Sequence, residues 1–263
     1  MNTLKIKLLA ASLFVVAAAQ AQNISYVQQI GLGQAAVVSQ IGGLNTADIY
    51  QGGVAPAGSH NNMAMQSQVH AGSAGKNYER AEQFGSMNTS SQTQRGSGND
   101  GRVLQNRQAT SNQASQSQTG SKNFASIFQT DELNKSTQTQ SGTSNAVYSF
   151  QSGDASVSTQ TQSGTSNFAL VNQPGDLNNA SQSQSGTGNG ASAYQFGDRN
   201  KATQTQSGTG NGAFIDQVSN RNVASQSQSG TSNSAMTVQY SIDSNASAIV
   251  QSGTLNMASV SQH

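Results

Sequence analysis

The chain has no cysteine and no tryptophan, and only 9% of its 263 residues are charged. Without cysteine, no disulfide framework can stand in for a thin core, as it often does in secreted domains. With 33% hydrophobic residues and no Trp, a conventional packed core is not expected. Histidine is nearly absent too: His60, His70 and His263 are the only three. No His-x-x-x-His or paired-carboxylate spacing appears, so neither a zinc site nor an acid–base pair is supported. A phosphate loop would need a strand, a GK[ST] element and a helix in sequence, and that combination is absent. Gly-Asp turns resemble calcium-binding nonapeptides only superficially, because that motif needs its own nine-residue period. No catalytic residue, metal or cofactor is expected, and the chain does not read as an enzyme.

Long apolar runs are also missing, apart from one at the start. Lys5 and Lys7 precede an apolar stretch from Leu8 to Ala19, followed by the small-x-small site Ala19-Gln20-Ala21. This is the pattern of a secretory signal peptide, residues 1–21, with the mature chain starting at Gln22. The stretch is shorter than the ~20 residues a spanning helix needs, so no membrane span is expected. Cleavage removes two of twelve basic residues and leaves ten against eleven acidic ones, a net charge of −1. That balance argues against nucleic acid or anionic membrane as the main partner.

What is present is a ruler. Gln29, Gln40 and Gln51 stand eleven residues apart, as do Gln83, Gln94 and Gln105. From Gln118 the spacing runs unbroken to Gln239; Gln251 comes one residue late and Gln262 follows. Extra residues around Pro56 and Gly72, and two more between Gln105 and Gln118, read as loop insertions. Residues 22–117 are therefore an irregular repeat region and 118–263 a regular one. Alternate units differ ("SGTGNGAFIDQ" against "FGDRNKATQTQ"), so the true period is twenty-two. So short a unit can bury itself only against its neighbours, which predicts a stack. The expected fold is all-β: a β-solenoid of about ten 22-residue coils, two strands per coil, and cross-β on assembly. Strands should run from each Asn to the next Gln. Glycines such as Gly208 and Gly210 should give the turns their backbone freedom.

Period-two alternation assigns the faces. Asn211, Ala213, Ile215 and Gln217 share one side of a strand, and Asn200, Ala202, Gln204 and Gln206 share one side of another. We place these sides inside. A buried amide without a partner costs roughly 1–3 kcal/mol. Stacked coils ~4.7–4.8 Å apart remove that cost by bonding each amide to its equivalent above and below. The expected ladder comprises Gln140, Asn145, Gln151, Gln162, Asn167, Gln173, Asn178, Gln184, Asn189, Gln195, Asn200, Gln206, Asn211, Gln217, Asn222, Gln228 and Asn233. Outside, one face carries hydroxyls (Thr137, Thr139, Thr159, Thr161, Ser181, Ser183, Thr203, Thr205, Ser225, Ser227). The other carries aromatics (Phe124, Phe128, Tyr148, Phe150, Phe168, Tyr194, Phe214). Asp154, Asp176 and Asp198 recur at one turn position, where stacked like charges repel and would slow assembly as gatekeepers.

The register Gln-x-Gly-x-Gly-Asn-x-Ala-x-x-x-Gln, complete from Gln184 to Gln195 and from Gln206 to Gln217, resembles the curlin repeat, the unit of bacterial curli amyloid. Gln140 to Gln151 matches with Ser144 replacing the second Gly; elsewhere Ser156 replaces the Asn, Ser158 the Ala and Ser219 the Gly. The resemblance implies a secreted, self-assembling, major-subunit-like component of extracellular fibres that scaffold biofilm and adhesion. It further implies export through an outer-membrane secretion pore and growth from a nucleator subunit. The alternative expectation is a monomeric β-solenoid that binds ice or polysaccharide through its Thr/Ser face. The open last repeat, without an obvious cap, favours polymerisation.

Overall fold

The computed structural model describes residues 3–9, 12–17, 23–52, 61–71, 75–106, 109–240 and 244–263, the first two segments by their backbone alone. The chain forms two compact units, Met1–Asn134 and Lys135–His263. Each is a parallel β-solenoid with two strands per coil, and no helix occurs among the described residues.

In the second unit one sheet is built from Ala146–Gln151, Phe168–Gln173, Gly190–Gln195, Gly212–Gln217, Ser234–Gln239 and Met257–Gln262, in chain order. The other takes Lys135–Thr143, Val157–Thr165, Asn179–Thr187, Lys201–Thr209, Val223–Thr231 and Ala246–Thr254. Like residues lie over like: Gln162 pairs with Gln184, Gln184 with Gln206, and Gln206 with Gln228. Inward positions hold amides and small apolar groups. Ala191, Ala193, Ala202, Ala213, Ile215 and Ala224 are all buried.

The first unit repeats this plan with less regular spacing. Ile24–Ile30, Asn45–Gln51, Asn77–Gln83, Asp100–Gln105 and Phe124–Gln129 form one sheet; Ala35–Ile41, Met63–His70, Thr89–Ser97 and Gln113–Ser121 form the other. Gln40 pairs with Gln68 and Gln51 with Gln83, so the extra residues between them do not disturb the register. Pro56, Gly72 and His60 lie outside the described residues. So do the cleavage site Ala19-Gln20-Ala21 and Gln22. The segment read as a leader contributes strands as well: Thr3–Leu9 pairs in parallel with Ile24–Ile30, and Ser12–Ala17 with Ala35–Gln40. An open sheet edge offers unpaired backbone groups to any extended segment near it.

Two details depart from the expected turns. In one sheet of the second unit the strands do not stop at the inner Gln. They run nine residues, through Ser-Gly-Thr, as in Lys201–Thr209. Gly142, Gly164, Gly186, Gly208 and Gly230 hold φ near 104–109° there, which bends the strand without ending its pairing. The left-handed residue comes two positions later. It is Gly at 188 and 210, but Ser at 144, 166 and 232; the opposite turn uses Ala155, Leu177, Arg199 and Arg221. Each non-glycine residue there costs roughly 1–2 kcal/mol. The turn offsets part of this by stacking. The amides of Leu177, Arg199 and Arg221 donate to the carbonyls of Asp154, Asp176 and Asp198 one coil earlier, at 2.8–2.9 Å.

A methyl group on Gly208 would be driven into the carbonyl of Gly230, whereas one on Gly212 would meet open space. Gly208→Ala should therefore lower stability by about 1–3 kcal/mol, the cost of overpacking plus an unsuitable φ. Gly212→Ala should be neutral or slightly stabilising. Urea-melting midpoints of the two variants check this pair.

Candidate functional site: the buried amide ladders

The site is a set of rows rather than a cleft. Alternation turns every second side chain inward, and at the strand ends those side chains are carboxamides. Gln151 donates to Gln173 (3.0 Å), Gln173 to Gln195 (2.8 Å), Gln195 to Gln217 (2.9 Å) and Gln217 to Gln239 (2.9 Å). On the facing sheet Gln140 donates to Gln162 (3.1 Å), Gln162 to Gln184 (2.7 Å), Gln184 to Gln206 (2.7 Å) and Gln206 to Gln228 (2.8 Å). Every donor points toward the C-terminal neighbour. In Gln162, Gln173, Gln195, Gln206 and Gln217 the carboxamide nitrogen also donates across the interior to a backbone carbonyl of the opposite sheet, as in Gln206 to Gly190 (2.9 Å) and Gln217 to Lys201 (3.2 Å). One side chain thus ties its own coil to the next and the two sheets to each other.

The asparagines run in the opposite sense. The backbone N–H of Asn211 donates to the side-chain oxygen of Asn189 at 3.0 Å. The Asn211 amide nitrogen lies within 3.1 Å of that same oxygen and of the Ser207 and Gly230 carbonyls. Asn145, Asn167, Asn189, Asn211 and Asn233 form one such row. Asn178, Asn200 and Asn222 form a second, through backbone-to-side-chain bonds of 2.8 Å. Ser156 heads that row: its hydroxyl accepts from the Asn178 amide (3.2 Å) and donates to Gly175 (3.0 Å). The shorter side chain keeps two of the turn's bonds.

A third glutamine row was not in the expected set, although Gln204 had been placed inside. Gln138, Gln160, Gln182, Gln204 and Gln226 are buried and linked at 2.8–3.1 Å. The signal is in the sequence, where Gln-Ser-Gln and Gln-Thr-Gln recur two residues before the ruler. The row ends where Ile249 follows Gln226 in register, and Thr237 from the opposite sheet accepts the last donor at 3.1 Å. Ser136 and Ser158 stand where Ala180 and Ala202 follow, and their buried hydroxyls have no partner.

The three turn aspartates are stacked and do more than repel. Two of the side chains accept a backbone N–H from the coil before them: Asp154 N–H donates to Asp176 (2.8 Å) and Asp176 N–H to Asp198 (3.0 Å). Asn220 takes the same role for Asp198 at 2.7 Å. Outside, Thr137, Thr159, Ser181, Thr203 and Ser225 are in register on one sheet. The aromatic face is intermittent. Tyr148 meets Phe168 and Tyr194 meets Phe214, with ring centroids 5.8 and 5.7 Å apart, but Gly190, Ser192 and Asp216 interrupt the rows.

A surface groove of about 330 Å³ in the first unit is lined by Tyr26, Asp48, Ile49, Tyr50, Tyr78, Arg80 and Glu82. Its polar groups pair with one another: the Tyr78 hydroxyl donates to Asp48 at 3.0 Å, and Arg80 pairs with Glu82. Burial, and then the Asp48 carboxylate, push the Tyr78 pKa up to about 12. Among the described residues no cluster of three or more His, Asp or Glu could hold a metal ion. No helix there is long and apolar enough to cross a membrane.

Gln206→Leu keeps the volume and removes the bonds. It strands the donor of Gln184, the acceptor of Gln228 and the Gly190 carbonyl. Each buried orphan costs roughly 1–3 kcal/mol. The urea midpoint of this variant should fall further than that of Ile215→Val, for which about 0.5–1.5 kcal/mol is expected.

No curated protein matches the chain. The family model described as the curlin associated repeat matches residues 186–218, a stretch that contains Gln195, Gln206 and Gln217 from the rows above. Over those residues the chain is similar to the curlin associated repeat, and the matched stretch lies within the parallel solenoid described above.

Proposed function

We propose that this chain is a secreted, self-assembling structural subunit of extracellular curli-like amyloid fibres, which scaffold a biofilm matrix and mediate adhesion. The observation that carries the proposal is the repetition of one bond set every 22 residues, as in Gln162–Gln184–Gln206–Gln228. A bond set that joins coil to coil within a chain can join chain to chain without new chemistry. In this reading the ladder residues named above join coil to coil within the chain, and the same bonds made by the outermost coils join chain to chain. Residues 1–21 act as the export signal in this reading, and their removal frees the edge at Ile24–Ile30. Partners are further copies of the chain, a nucleator subunit and an outer-membrane secretion pore. No catalytic role is proposed. The in-register Ser/Thr rows support a second reading, a monomeric binder of ice or polysaccharide.

A thioflavin T time course on residues 22–263 separates the two. A fibre subunit shows a lag that preformed seeds abolish, and its product diffracts near ~4.7 and ~10 Å. A β-rich monomer that never seeds contradicts it and leaves the binder. In the same assay, Asp154→Asn, Asp176→Asn and Asp198→Asn combined should shorten the lag. Asn220 shows that an amide can accept the same N–H without the charge. An unchanged lag would remove the gatekeeper role.

A further inference from the structure

Among the described residues one inward position breaks the rule that the interior holds only amides, hydroxyls and apolar groups. In Asn77–Gln83 the inward residues are Asn77, Glu79, Ala81 and Gln83. Glu79 therefore takes the slot that Ala47 fills one coil earlier and Gly101 one coil later. It is fully buried, and neither carboxyl oxygen has a hydrogen-bond partner. The glycine at 101 leaves the adjoining layer without a side chain.

Nothing charged faces it. On the paired strands the inward residues are Asn45, Ala47, Ile49 and Gln51, and Gly101, Val103 and Gln105. Across the interior they are Ala64, Gln66 and Gln68, and Ser90, Gln92 and Gln94. The titratable and charged groups on these elements lie elsewhere. Asp48, Tyr50, Tyr78, Arg80, Glu82, Asp100, Arg102 and Arg95 alternate outward, and His70 lies at the strand end beyond Gln68. A carboxylate in such a place would have neither a counter-charge nor a donor, and burial alone holds its pKa well above the ordinary range.

We propose that Glu79 is a pH-responsive element that makes the first unit fold most firmly in acid. Below the pKa of an unfolded glutamate, the residue is neutral in both states and costs nothing electrostatically. As pH rises past that value the unfolded chain ionises first, so stability falls; it levels off above the raised folded value. This direction is opposite to that of a salt-bridged carboxylate. The consequence for growth, that the first unit joins a stack more readily in acid, rests on the proposed function. The local response does not.

The test is hydrogen exchange of the full chain at pH 4 and pH 8, corrected for the intrinsic pH dependence of exchange, read on Asn77–Gln83 and on Gly190–Gln195. The expected result is at least tenfold more frequent opening of Asn77–Gln83 at pH 8, no change in Gly190–Gln195, and a flat profile for Glu79→Gln. Equal opening of Asn77–Gln83 at both pH values overturns the proposal, as does a wild-type-like response in Glu79→Gln. If Glu79→Gln is unprotected at both, Glu79→Ala decides: a flat, protected profile supports the proposal, and loss of protection there too overturns it. A chain that never polymerises leaves this test intact.

Discussion

A buried carboxamide must find partners for two donors and an acceptor, and everything else in this protein follows from how that is done. Gln206 meets the demand with one bond down to Gln184, one up to Gln228 and one across to Gly190. Only parallel, in-register strands bring identical side chains to such positions. An antiparallel or slipped arrangement would leave every amide of the row facing something else, at roughly 1–3 kcal/mol for each orphan. The ladders therefore specify the fold as much as they stabilise it. A thin seam of Ala, Val and Ile suffices because the amides supply the register.

The same demand explains what the turns tolerate. The loops between Gln51 and Gln83 change length, yet both residues remain bonded at 2.7 Å. Left-handed turn residues need not be glycine, since Arg199 and Arg221 hold φ of 56–57° and their amides bond to the coil before. Glycine is indispensable instead at positions such as Gly208, where the next backbone lies against it. Stacking distance, rather than turn shape, is the tighter constraint.

Much of this was legible in the sequence. The eleven-residue ruler gave the period, and alternation gave the inner row of Asn211, Ala213, Ile215 and Gln217, all buried. What was hidden depends on pairing across coils. The nine-residue strands could not be read, because Ser-Gly-Thr has the composition of a turn. The row through Gln182 and Gln204 was only half seen, since a Gln two residues before the ruler is indistinguishable in one unit from a solvating side chain. The same alternation, run from Asn77 to Gln83, puts Glu79 on the inner side of "NYERAEQ"; that no partner meets it there depends on the neighbouring coils and could not be read.

The most direct test of the ladders is side-chain amide hydrogen exchange in the folded, assembled chain, read by nuclear magnetic resonance on labelled glutamine. Inward carboxamides at Gln184, Gln206 and Gln228 should exchange as slowly as the backbone of Lys201–Thr209, while the outward Gln113 exchanges at the rate of a free amide. Fast exchange at all four positions would mean that the rows do not hold the coils together, and the account would fail at its base.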